Sequence, residues 1–176
     1  MTRRARNHEE EATARIAAYL RAGDRILLGQ GCAQPPLLAR ALLAACEARP
    51  VELFIGPLFD DTFTHHAPAA MRFAGYAAMG RAAELAAAER LAIHPVHYGT
   101  LETAFTTGEM RADIVLLLAG ERDGRLCAAF ANDYVLAAAR HARHVIIEVN
   151  RHVPWCPGAE IEPDLPITAR IDSDTP

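Results

Sequence analysis

The residues best suited to chemistry are Gly29-Gln30-Gly31-Cys32-Ala33-Gln34-Pro35, a glycine-bracketed segment between a short apolar run and a proline-initiated helix. Glycines there let the backbone approach a ligand and take positive φ angles. Backbone N–H groups at a helix start offer partial positive charge to an anion or a developing oxyanion. The spacing matches neither G-x-G-x-x-G nor a phosphate loop with its lysine, so on the residues alone a plain tight turn and a ligand cradle both stand.

Other candidates are weaker. Glu148 ends an apolar run and precedes Val149-Asn150. A carboxylate nucleophile could occupy such a place. Asn150 suits a hydrogen bond to a loop or ligand, or equally a turn. His94 and His97 flank Pro95 with no third ligand at metal spacing, so no metal is expected. Asp60-Asp61 and His65-His66 flank Phe63 in what reads as a solvated surface loop. Asp133 precedes a helix beginning near Tyr134 and suits its N-cap, with ligand contact as the alternative. Cys32, Cys46, Cys127 and Cys156 are widely spaced and read as free thiols, Cys32 as a small space-filler in the loop.

The elements that position these groups alternate in type. Ala12, Ile16, Ala17 and Leu20 recur at helical spacing between Glu9 and Arg21, and Gly23 stops that helix. Apolar runs at 25–29, 51–55, 71–76, 113–118 and 144–149 are strands buried on both faces, with helices at 36–47, 81–90 and 134–141 between several of them. Asp123-Gly124 is a hairpin signal onto 125–130. From Pro154 the proline-rich tail is expected as loop, edge strand or connector. The pattern predicts an α/β fold: an open, mainly parallel sheet with helices on both faces. Residues 1–8 are expected as a flexible end carrying Arg3, Arg4 and Arg6, and 9–176 as a single domain.

Composition narrows the function classes. A net charge of -4 with scattered basic residues leaves no nucleic-acid footprint. No apolar run reaches the ~20 residues that cross a bilayer, and Glu9, Glu10 and Glu11 fall where a signal peptide needs apolar residues. The expectation is a soluble cytoplasmic protein.

Five segments in order carry a resemblance: G-D-R-I-L-L-G-Q-G-C-A-Q-P at 23–35, H-P-V-H-Y at 94–98, A-D-I-V-L-L at 112–117, N-D-Y-V-L-A-A-A-R at 132–140, and V-I-I-E-V-N-R-H-V-P-W-C-P-G-A at 145–159. Together they resemble the N-terminal domain of the acetyl-CoA hydrolase/transferase family, which includes 4-hydroxybutyrate, succinate and propionate CoA-transferases. The resemblance implies a CoA-transferase-like, Rossmann-like domain that binds coenzyme A as acyl-CoA. It also implies a hetero-oligomer, in which a C-terminal-type partner subunit supplies the catalytic glutamate and this chain supplies none. Acyl-CoA and a carboxylic acid are the implied substrates, with Gly29, Gln30, Gly31, Ala33, Gln34, His97 and Asn150 as the binding set. In the family's N-terminal half the E-V-N segment resembles a structural strand end, which implies that role for Glu148 and not that of nucleophile. His97 matches a family histidine in P-x-H-x-S, but Gly99 replaces the serine. Ala119 to Gly124 departs from the family's S-P-x-D-x-G by introducing Glu121 and Arg122, which implies a shifted substrate choice. The alternatives are a non-catalytic module that binds acyl-CoA or a carboxylate, and a partial chain of a larger enzyme.

Overall fold

The computed structural model describes residues 3–47, 49–130 and 133–175. In chain order the elements are α1 (Arg3–Tyr19), β1 (Arg25–Leu28), α2 (Pro36–Ala45), β2 (Val51–Ile55), α3 (Thr62–His66), β3 (Met71–Gly75), α4 (Ala82–Ala87), β4 (Leu91–Ile93), α5 (Leu101–Thr107), β5 (Ile114–Arg122), β6 (Arg125–Ala128), α6 (Tyr134–Ala139), β7 (His144–Asn150) and β8 (Ile167–Ser173). The sheet runs β4-β3-β2-β1-β5-β7-β8, with β6 hairpinned onto β5. Every pairing is parallel except β5 with β6. The expected architecture is the observed one.

The apolar runs are unbroken because both faces of the sheet are covered. Ile26, Leu28, Leu53, Ile55, Phe73 and Leu116 pack toward Ile16 and Ala12 of α1, Leu38 and Leu42 of α2, Phe63 of α3 and Leu85 of α4. The alternate residues Leu27, Phe54, Ala74, Val115, Leu117 and Ile147 pack on the opposite face with Leu101 and Phe105 of α5, Tyr134 and Val135 of α6, and the tail residues Ile161 and Leu165. The edge strand β8 alternates instead: Ala169, Ile171 and Ser173 are buried while Arg170 and Asp172 are exposed. That polar alternation is why the tail read only as loop, edge strand or connector.

The helices differ from expectation in three places. Helix α1 begins at Arg3, so residues 3–8, expected as a flexible end, are helical. Hydrophobic periodicity marks where a helix buries a face, and this polar stretch carries no such mark. Helix α3 replaces the expected solvated loop, because Phe63 is fully buried between its flanking acids and histidines. Helix α5 was not foreseen: its threonines weaken helix propensity, yet Leu101, Ala104 and Phe105 form one buried face. Among the described residues no helix is long and apolar enough to cross a membrane.

At the amino edge of the sheet, Asp24 is buried and accepts from the Arg21 N–H at 2.8 Å and from Arg143 Nη2 at 2.7 Å. At the carboxyl edge the chain order turns. Strands β2, β3 and β4 lie to one side of β1, and β5, β7 and β8 to the other. The segment after β1 leaves the sheet at this switch point, where open α/β sheets place their ligands.

Candidate functional site

The loop after β1 is tightly wound. The Gly29 N–H donates to the Leu116 carbonyl, which carries the β1–β5 ladder one residue further. A Cβ at Gly29 would lie 2.1 Å from the Ala33 carbonyl oxygen, so no other residue fits this return of the chain. Gly31 takes φ +55 and opens a 3-10 turn over Gly31–Ala33. The Gly31 N–H donates to Pro57 O, that of Ala33 to Gln30 O and that of Gln34 to Gly31 O. These amides are spent within the fold.

So is the helix start. The first-turn N–H groups of Leu37 and Leu38 donate to Glu148 Oε2 at 2.9 and 3.1 Å, and Ser173 Oγ donates to Glu148 Oε1 at 2.6 Å. Glu148 is fully buried, and burial raises its carboxyl above the ordinary range against the pull of these three donors. The positive end of α2, expected to face a ligand anion, is therefore occupied by the protein's own carboxylate. Glu148 is a structural strap tying β7, β8 and α2, as its strand-end reading supposed.

What the loop presents outward is Gln30. Its Oε1 accepts from Tyr76 OH at 2.8 Å and Tyr134 OH at 3.3 Å, and its Nε2 donates to Asp133 Oδ2 at 2.7 Å and Tyr98 OH at 3.3 Å. The amide is saturated on both sides. The three phenol rings stand 5.5 to 6.2 Å apart between centroids, and Tyr134 stacks on Phe105. Burial, with Asp133 and the neighbouring phenols adding to it, pushes Tyr76 up to about 12 and raises Tyr98 and Tyr134. All three hydroxyls keep their protons at neutral pH; Tyr76 and Tyr134 donate to Gln30, and Tyr98 accepts from it. Gly56 is required beneath them, since a Cβ there would lie 1.9 Å from Gln30 Oε1.

Asp133 does two jobs. Its Oδ1 accepts from the Val135 N–H at 2.9 Å, the expected N-cap of α6, while Oδ2 holds Gln30. Its neighbour Asn132 lies outside the described residues.

The other members of the expected set separate. Ala33 and Gln34 are buried inside the loop. Gln34 Nε2 donates to Asp60 Oδ2 at 2.8 Å, and Gln34 Oε1 is buried with no partner among the described residues. Asp60, expected in a solvated loop, thus braces the glycine segment. His97 is exposed and caps the turn at Tyr98, its Nδ1 accepting from the Gly99 N–H at 3.3 Å. Gly99 therefore contributes a backbone donor where the resemblance leads one to look for a hydroxyl. Asn150 is buried at the end of β7, donating to Thr175 O and accepting from the His152 N–H. It borders a different cavity of about 350 Å³, lined by Glu121, Arg151 and Asp174. The charge of Glu121 is spent on Arg170 of β8, a two-pronged pair at 2.9 and 2.7 Å.

Cys32 is exposed at the loop surface, not a space-filler as expected. The turn Gly31–Ala33 points its side chain outward, and Phe59 lies over Gly31 instead, 65% exposed. Tyr76, Tyr98 and Tyr134 escaped the sequence reading as site residues. Each lies just past a strand or at the start of a helix, and in a parallel sheet all such positions gather at one edge; that rule was the available signal.

No protein-family model and no curated protein matches the sequence. Among solved structures, RipA from Yersinia pestis superposes with a TM-score of 0.78 at 18% identity, covering 98% of this chain and 44% of RipA. A variant of RipA gives 0.79 at 19% identity over 98% and 43%. The 4-hydroxybutyrate CoA-transferase of Porphyromonas gingivalis gives 0.66 at 20% identity over 94% of this chain and 39% of the enzyme. The chain thus shares a CoA-transferase-like α/β fold and spans less than half the length of these proteins.

Proposed function

We propose that this chain is one subunit of a hetero-oligomeric acyl-CoA:carboxylate CoA-transferase or acyl-CoA hydrolase, which holds the reacting thioester beside the Gly29–Gln34 loop while a partner subunit carries the nucleophilic glutamate. The observation that carries the reading is the fold shared with a 4-hydroxybutyrate CoA-transferase over 94% of this chain. The burial of Glu148 supports it, because a carboxylate saturated by two helix N–H groups and a serine cannot reach a thioester.

In the proposed reaction the partner's carboxylate attacks the acyl-CoA thioester carbonyl, forming a mixed anhydride and expelling CoA thiolate. The thiolate attacks the glutamyl carbonyl of the anhydride, releasing the carboxylic acid and leaving a glutamyl-CoA thioester. An acceptor carboxylate reverses these steps for transfer, and water intercepts the thioester for hydrolysis. This chain's contribution is positional: the loop and the phenols around Gln30 bind and orient the acyl-CoA.

The test is to co-express the chain with the products of neighbouring genes and assay acyl-CoA turnover, then reduce the complex with borohydride and locate the trapped glutamate by mass spectrometry. Modification on the partner is expected, and Gly31→Trp should abolish turnover without unfolding the chain. Turnover by this chain alone overturns the two-subunit reading. Acyl-CoA binding with no partner that confers turnover favours a non-catalytic binding subunit.

A further inference from the structure

Among the side chains that meet at Gln30, hydrogen-bond accounting leaves one donor unspent, and it points out of the protein. A carboxylate oxygen only accepts, so Asp133 Oδ2, 2.7 Å from the amide, dictates that Gln30 turns Nε2 toward it and Oε1 away. Oε1 then takes the protons of Tyr76 and Tyr134. Tyr98 is on the Nε2 side, so its oxygen must accept from Gln30, and its own proton cannot point back at the amide. Among the described residues that proton meets no acceptor, and the Tyr98 side chain is 48% exposed. The backbone donors of Gly29, Gly31, Ala33, Gln34, Leu37 and Leu38 are meanwhile all spent.

We propose that the Tyr98 hydroxyl, held proton-outward by Asp133 acting through Gln30, is a ligand-facing side-chain donor of the site and binds a neutral carbonyl oxygen of an acyl-CoA. A neutral acceptor is chosen because Asp133 lies one residue behind the phenol and repels a second carboxylate. Two kinds of carbonyl in acyl-CoA share this chemistry: the thioester carbonyl and the two amide carbonyls of the pantetheine arm. The inference rests on the acyl-CoA reading above and adds the residue that recognises the carbonyl. Tyr98 touches the ligand; Asp133 and Gln30 are positioning residues.

Asp133→Asn probes the relay with Tyr98 intact. Asparagine still caps α6 through Oδ1, which turns its Nδ2 toward Gln30. The Gln30 amide then flips, Oε1 faces Tyr98, and the Tyr98 proton turns inward. Calorimetric titration of the chain, and of the reconstituted complex once recovered, with acetyl-CoA, CoA and acetate reads this out. Tyr98→Phe should weaken acetyl-CoA binding about three- to tenfold, the worth of one neutral hydrogen bond. Asp133→Asn should weaken it by a similar factor, and the double variant no further than either single one. Unchanged CoA affinity identifies the thioester carbonyl; an equal loss for CoA identifies a pantetheine amide. Unchanged acetyl-CoA affinity in Tyr98→Phe, additive losses in the double variant, or a loss confined to acetate each overturn the proposal. Failure of the parent chain and complex to bind acetyl-CoA at all sinks the acyl-CoA reading itself, a result distinct from binding that ignores Tyr98.

Discussion

Replacing Glu148 separates its structural role from a catalytic one. In Glu148→Ala the N–H groups of Leu37 and Leu38 and the hydroxyl of Ser173 all lose their acceptor at a site with no exposed surface. Each buried unsatisfied donor costs about 1–3 kcal/mol, and partial rehydration of the space left by the side chain returns some of it, so a loss of about 3–5 kcal/mol is expected. For a chain of this length that lowers the melting temperature by about 6–20 °C. Glu148→Gln keeps an acceptor oxygen for the helix N–H groups and turns its amide to Ser173 Oγ, so it should stay within about 1 kcal/mol of the parent. The pH dependence sharpens the comparison. The folded-state pKa of Glu148 is raised by burial above the ordinary 4.5, so the folded protein holds this proton more tightly than the unfolded chain. Its contribution is then most favourable below pH 4.5, declines as pH rises toward the raised value, and levels off beyond it. Glu148→Gln lacks this slope, so its stability relative to the parent should climb across that window. Urea titrations at a series of pH values measure both effects. An alanine variant as stable as the parent, or a glutamine variant that folds normally but alone abolishes turnover of the complex, would refute the strap.

Gly29→Ala should cost about 1–3 kcal/mol in urea denaturation, because its Cβ meets the Ala33 carbonyl at 2.1 Å and backbone must shift. Arg143→Met leaves the Asp24 carboxylate, 4% exposed, with only the Arg21 N–H; discounted for the partial exposure of Arg143, the expected loss is about 1–3 kcal/mol, and an unchanged midpoint would remove this pair as a stabilising contact. Iodoacetamide on the native protein at pH 8 should label exposed Cys32 first, while Cys46, buried with its thiol pushed up to about 12, reacts only on unfolding. Peptide mass spectrometry of Cys46 ahead of Cys32 would contradict the packing of α2.

Some of this was legible along the chain because it is local. Five- and six-residue apolar runs between helical segments specify a doubly covered parallel sheet whatever the side chains do later. Asp123-Gly124 closes the β5–β6 hairpin with two positive φ angles in adjacent residues, and Asp133 caps α6 through its own neighbour two residues on. Gly29 and Gly31 announced a loop that needs glycine, and the backbone agrees at both.

The site itself was decided by tertiary structure. Gln30 meets Tyr76, Tyr98, Asp133 and Tyr134 across 46, 68, 103 and 104 residues of sequence, and no spacing rule connects positions so far apart. Parallel strands gather their carboxyl ends on one edge, so unrelated loops converge there only once the strand order is set. The same long-range packing gave the α2 helix start to Glu148, 110 residues away. That made a local glycine-and-helix pattern into an internal strap and left the outward chemistry of the loop to side chains delivered by other strands.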